Sequence, residues 1–223
     1  MVKAVKLFVE GGGDSKSLRS ECRAAFSSFI QKTGLSGYLP RIVASGSRNA
    51  AYKDYCIAIK NHEEAVLLVD SETEVNTPEG HSVYDAENQR TWKPWHHLEN
   101  RLGATGEIAD SWKKPSGALD EDCHLMVQLM ESWFLADINA LKDYYGTGFN
   151  EKSIPIRSDI ERIAKDKVLA SLHEATRYTK KGPYNKGKHS FIILANIDSK
   201  MVISKSPWAN RFITLLSEKM HSV

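Results

Sequence analysis

Apolar residues first gather at positions 5–9, a mostly hydrophobic run that predicts a short strand central in a sheet. Asp14 or Ser15 can cap the helix that follows, because Leu18, Cys22, Ala25, Phe26 and Phe29 fall on one helical face. Gly34 lies just beyond its expected end, where a C-cap glycine belongs. Residues 41–44 predict a second strand, 49–60 a second helix and 65–70 a third strand, almost wholly apolar and ending in Asp70. Strand, helix, strand, helix, strand in that order is the signature of a doubly wound parallel sheet.

From about residue 75 to 120 the periodicity dissolves into turn residues, charges and three tryptophans, Trp92, Trp95 and Trp112. A structureless loop of that length is unusual inside a compact domain, so the segment predicts an inserted subdomain or lid. HLMVQLM at 124–130 predicts a fourth strand, followed by a helix over 131–145 that Gly146 ends. The final third is helical. Ser158 and Glu161 have the spacing of a capping box. Ser206 and Pro207 offer an N-cap and a first-turn proline to a last helix with Trp208, Phe212, Leu215 and Leu216 on its apolar stripe. The expectation is a single α/β domain over 1–223. It comprises a βαβαβ core at 1–75, an insertion at 75–120, and a fourth strand with a helical C-terminal region at 121–223.

With 223 residues and 41% hydrophobic content the chain can bury one large core. A formal net charge of +2 excludes a uniformly basic nucleic-acid binder but permits a local patch. Residues 177–205 hold one: Arg177, Lys180, Lys181, Lys186, Lys188, Lys200 and Lys205 against Asp198 make a local charge of +6, leaving −4 elsewhere. Tyr178, Tyr184 and His189 interleave with these cations, as on a surface that tracks a nucleic-acid backbone. Lys180, Lys181, Lys186 and Lys188 are the candidate contacts, and Lys188 is the candidate to stabilise charge on a phosphoryl transition state. Three scattered cysteines, Cys22, Cys56 and Cys123, suit reduced thiols in a cytoplasmic protein. The N-terminus lacks a signal-peptide pattern, and no apolar run approaches a membrane span, so no membrane partner is expected.

In doubly wound sheets the functional crevice lies outside the carboxyl ends of the strands. Glu10 and Asp70 both end strands there. Extended chain puts residues two apart on one side, so Asp70, Glu72 and Glu74 are expected to point the same way. Crowded carboxylates repel one another and normally require a cation. Hard oxygen ligands suit Mg²⁺ or Mn²⁺, which keep waters for a phosphate substrate. Glu131, after the fourth apolar segment, is a further candidate ligand, or else a first-turn acid that suits a helix dipole.

LFVEGGGD, followed after two helices by LLVDSE, resembles the Toprim domain of topoisomerases, primases and the overcoming-lysogenisation-defect nucleases. HLMVQLMESWFLAD, KGKHS and SPWANRF are similar to segments of stand-alone bacterial Toprim-like proteins, which are often encoded beside an ATPase and sometimes in antiphage-defence loci. The resemblance implies a Toprim-like fold and a metal-dependent nuclease acting on DNA or RNA with an ATPase partner. Carried over, Mg²⁺ or Mn²⁺ would be held by Glu10, Asp70 and Glu72, with Asp14 as a further acid and Glu10 as proton acceptor. Glu72 departs from the family, which has a second aspartate at that position. A non-catalytic Toprim-like module that binds an ATPase or a nucleotide, as sensor or regulator, is the alternative.

The three successive glycines, Gly11 to Gly13, let a backbone pass close to a bound phosphate. They form neither a Walker A loop nor a dinucleotide fingerprint. Adjacent His96 and His97 suggest no zinc site, and no Ser-His-Asp triad is evident. The tryptophans are expected to form the insertion's own small core or a partner surface, and the insertion to offer a docking surface for the ATPase or a second copy of the chain.

Overall fold

A computed structural model of the chain describes residues 4–13, 15–35, 39–76, 83–103 and 105–221. Four strands, β1 (Lys6–Glu10), β2 (Arg41–Gly46), β3 (Ala65–Asp70) and β4 (Cys123–Met126), form one sheet in the order β2-β1-β3-β4. Every pairing is parallel: Phe8 faces Val43 on one side and Leu67 on the other, and Asp70 faces Met126. Helices α1 (Lys16–Lys32) and α2 (Arg48–Lys60) make the crossovers between the first three strands. This is the expected α/β, Rossmann-like arrangement of a parallel sheet flanked by helices.

The alternation of strand side chains sorts the core into two halves. Leu7, Val9, Val66 and Leu68 point to the face covered by Cys22, Phe26 and Phe29 of α1 and by α7 (Lys186–Asn196), which lies along α1. Phe8, Leu67 and Val69 point to the other, covered by Ala51, Tyr55 and Ala58 of α2.

That second face corrects one expectation. Trp92, Trp95 and Trp112 are all buried against it, so they are not an exposed docking surface. They come from a segment carrying α3 (Ala86–Arg90) and α4 (Pro94–Asn100), and Trp112 stacks on Tyr52 of α2 with 4.4 Å between ring centres. A sheet with α2 alone on that face would leave apolar surface in water, and the tryptophans cover it.

After β4 the expected long helix splits. Met130–Ala136 is a 3₁₀ segment, and α5 (Ile138–Tyr145) begins only after Asp137, whose carboxylate accepts from Ala140 N–H. Asp137 caps a helix where a continuous apolar pattern suggested none would start. The capping box at 158–161 is also not formed. Asp159 caps a short 3₁₀ turn, and α6 (Lys165–Thr176) starts later. Glu161 turns inward instead: its Oε1 accepts from Ser206 Oγ and, at 2.9 Å, from Trp208 N–H. It thereby satisfies the start of α9 (Pro207–His221), which follows α8 (Ser199–Lys205); Ser206 Oγ in turn accepts from Ala209 N–H as foreseen.

α9 packs on β4. Its Arg211 is fully buried and donates to the carbonyl oxygens of Gln89, Cys123 and Asp120 at 2.8–2.9 Å. No helix among the described residues is long and apolar enough to cross a membrane.

Two measurements follow from this packing. Trp92→Ala should cost about 3–5 kcal/mol, shifting a single urea transition, whereas a detachable lid would leave the main transition in place. Burial raises the Glu161 pKa to about 8, against the hydrogen bonds from Ser206 and Trp208. The unfolded chain releases this proton first, so the contribution to stability is complete below the ordinary glutamate value of 4.5 and declines towards pH 8. Glu161→Gln keeps an acceptor oxygen and should flatten that decline; equal slopes in the two proteins would refute the assignment.

Candidate metal centre

The glycine turn is shaped by close backbone contact. Gly11 and Gly46 exchange hydrogen bonds at 2.8 and 2.9 Å, joining the ends of β1 and β2. Gly12 has φ +86, and a Cβ there would lie 2.7 Å from the Arg19 Cα. At Gly46, φ +92, a Cβ would lie 2.9 Å from the Gly13 carbonyl oxygen. Any other residue would push α1 or β2 away from the turn. Ser15 is the N-cap of α1, accepting from Leu18 N–H, and Asp14 lies outside the described residues.

Above this turn the acids meet. One carboxylate oxygen from each of Glu10, Asp70 and Glu72 lies within 4.8 Å of the others. Adjacency of β1 and β3 sets the first two side by side, and Asp70 N–H donates to Glu10 Oε2 at 3.3 Å. Glu72 arrives by a different route from extended alternation. Its φ is +68, a left-handed turn, while its N–H donates to Gln128 O at 2.8 Å. Its carboxylate pairs with Lys165 of α6. Glu74, expected on the same side, is exposed and lines a separate hollow with Trp92 and His96.

Asp70 is 3% exposed, accepts from Met130 N–H at 2.8 Å, and lies 3.7 Å from Lys186 Nζ. Burial and the neighbouring Glu10 hold its pKa well above the usual carboxylate range despite Lys186. Glu10 is likewise raised, chiefly by burial, with Lys186 opposing. Glu131 sits next to the trio, entirely buried on the 3₁₀ segment, its Oε1 accepting from Tyr184 OH at 2.8 Å and its Oε2 3.5 Å from Lys186 Nζ. The two acids pull the Lys186 pKa above its usual value in spite of its own desolvation.

A cavity of about 260 Å³ opens over this group, lined by Glu10, the three glycines, Asp70, Lys186 and the apolar Leu18 and Phe191. The lysine that lines this cavity is thus Lys186. Lys188, the residue singled out for this task, is exposed and does not line the cavity. Two residues along a helix turn through about 200°, so only one of the pair can face inward, and Asn185 capping the helix sets which. Lys180 and Lys181 are exposed, Lys181 lying 5.0 Å over the Tyr144 ring.

Behind the acids lies a second layer that sequence reading did not find. Arg48 Nε donates to the Asp70 carbonyl at 2.9 Å, while its Nη1 pairs with Asp110 at 2.6 Å. Asp110 also holds Arg101 at 3.0 Å, and His97 Nε2 lies 2.9 Å from the Ser71 carbonyl. Asp110, Arg101 and His97 all come from the 75–120 segment, which therefore clasps the acidic loop from behind. The only sequence signal was an arginine at the start of α2, directly after the Gly46 turn. Asp110→Ala leaves two poorly hydrated guanidinium groups without their anion and should destabilise the protein by about 3–5 kcal/mol. Asp110→Asn should lose less, and equal loss in both would point to packing rather than charge.

No curated protein and no solved structure matches the chain. Residues 9–217, from β1 into α9, match the domain family DUF4276, described as a domain of unknown function, and the chain belongs to that family.

Proposed function

We propose that the chain is a metal-dependent hydrolase of nucleic-acid phosphodiesters, of Toprim type. The observation that carries this reading is the convergence of Glu10, Asp70 and Glu72 within 4.8 Å beside a glycine-lined cavity. The donor set is all carboxylate oxygen, and Asp70 is raised first by burial and then by the neighbouring Glu10, both of which a cation would offset, so the residues fit a hard divalent ion such as Mg²⁺ or Mn²⁺. Bound there, such an ion supplies charge neutralisation at a phosphate and a water of lowered pKa.

The chain's own groups do the rest. Glu10, half-buried at the cavity mouth, is placed to take a proton from a nucleophile, and Lys186 to face a phosphoryl oxygen. Leu18, Met126, Met130 and Phe191 restrict water on the other walls. An ATPase partner, a part in antiphage defence and a cytoplasmic location belong to the same proposal, resting on the motif resemblance and the three free cysteines.

One observation favours a second reading, a non-catalytic sensor or regulatory module. Lys186 already pairs with Asp70 and Glu131, an arrangement in which the acids serve to anchor α7.

Metal titration separates the two. Chelator-treated wild type should melt several degrees higher on adding Mn²⁺ and should cut DNA or RNA, in the presence of its ATPase partner if one is needed. Asp70→Asn should melt at least as high as wild type in chelator, since it removes a repelled buried charge, yet gain nothing from Mn²⁺ and cut nothing. Cleavage by Asp70→Asn at the wild-type rate would leave the module as the better reading.

A further inference from the structure

A groove of about 490 Å³ runs beside the acidic cavity between α1 and β2. It is lined by Arg19, Arg23 and Ser27 at four-residue spacing on α1 and by residues 41–44 of β2, led by Arg41. Residues four apart share one helix face, so the two α1 arginines and Ser27 form a stripe parallel to the strand. Among the described residues no acid lines the groove. Arg23 and Arg41 are exposed, and neither has an ion pair to another described residue. At the upper end Arg19 Nε donates to the Gly13 carbonyl at 2.9 Å, and Gly13 and Gly46 line the acidic cavity. Groove and cavity therefore adjoin through one turn.

The sheet's two edges are treated differently. β4 is closed on its outer side by α9, whose Arg211 occupies the Cys123 carbonyl. Among the described residues β2 has no strand partner beyond it. The six residues from Gly46 down to Arg41 span about 17 Å of strand. That is room for several nucleotides at about 3.4 Å per phosphate along one strand of a duplex.

We infer that this arginine groove, and not only the lysine-rich 177–205 segment, carries the phosphate backbone of the nucleic-acid strand leading into the metal centre. The inference rests on the hydrolase reading for its choice of occupant. A polyanion suits a groove with arginines and no acids, and arginine forks take phosphate oxygens in pairs. The sugar-phosphate chain then enters at Arg41, passes Arg23 and reaches the glycine turn at Arg19.

The test is binding of a labelled 20-nucleotide single strand and its duplex by fluorescence anisotropy, in chelator, across a KCl series. Arg23→Ala/Arg41→Ala should weaken binding roughly tenfold and reduce the slope of log K on log [KCl] by about 1.8 for duplex, while Arg23→Lys/Arg41→Lys keeps most of the slope. Both positions are exposed, and unchanged melting of the variants checks that folding is intact. Unchanged affinity and slope in the double alanine variant, or no binding by wild type, would overturn the groove assignment. So would a change confined to oligomeric state in sedimentation, which would mark the edge as a contact between copies. Binding that needs the arginines in a protein that never cleaves would retain the groove and sink the hydrolase reading. Cleavage with arginine-independent binding would do the reverse.

Discussion

Repulsion among carboxylates is the constraint around which this molecule is organised. Glu10, Asp70, Glu72 and Glu131 gather where strands end, three of them within 4.8 Å of one another and Asp70 and Glu131 removed from water. Such an assembly opposes folding unless something holds it. The holding is distributed: Lys186 from α7, Lys165 from α6, a main-chain N–H from Met130, and Tyr184 for the most buried acid. They come from three stretches of the chain: Met130 after β4, Lys165 at the start of α6, and Tyr184 with Lys186 at the start of α7. The C-terminal helices are therefore a framework that makes an otherwise unfavourable cluster tolerable.

The 75–120 segment serves the same end from the opposite side. Its tryptophans complete the second face of the sheet, and its Asp110 fixes Arg48 against the Asp70 carbonyl. A segment that looked like an appendage is thus a wall of the core and a brace for the site. Arg211, holding three carbonyls from the insertion and β4, ties this wall to the last helix.

The parallel βαβαβ core and the meeting of Glu10 with Asp70 were legible in sequence because strand alternation and strand order are local or topological signals. Glu72 was placed correctly for an incorrect reason: its approach comes from a left-handed φ that extended-chain geometry does not contain. Lys186 and Lys188 could not be told apart, since the choice needs the phase of α7 against the sheet. Arg48 and Asp110 stayed hidden because their pairing spans sixty residues of sequence with no periodicity to link them. Glu161 was misread by proximity, its partner being not the nearby Ser158 but Ser206, across the fold. For Arg48, Asp110 and Glu161 what failed was long-range pairing between polar groups, which carries no pattern in the chain.

The contrast in freedom between Lys186 and its partners has a consequence of its own. Its side chain is 58% exposed, while those of Asp70 and Glu131 are 4% and 0% exposed. Fixed anions with a tethered, solvent-reaching monovalent counter-ion make up a cation exchanger on the scale of one site. A divalent ion held by these acids would compete with an ammonium that can reach water without leaving the protein. Under the proposed metal binding, uptake of the ion would free the lysine arm, and occupancy by metal and availability of a positive charge at the cavity would rise and fall together.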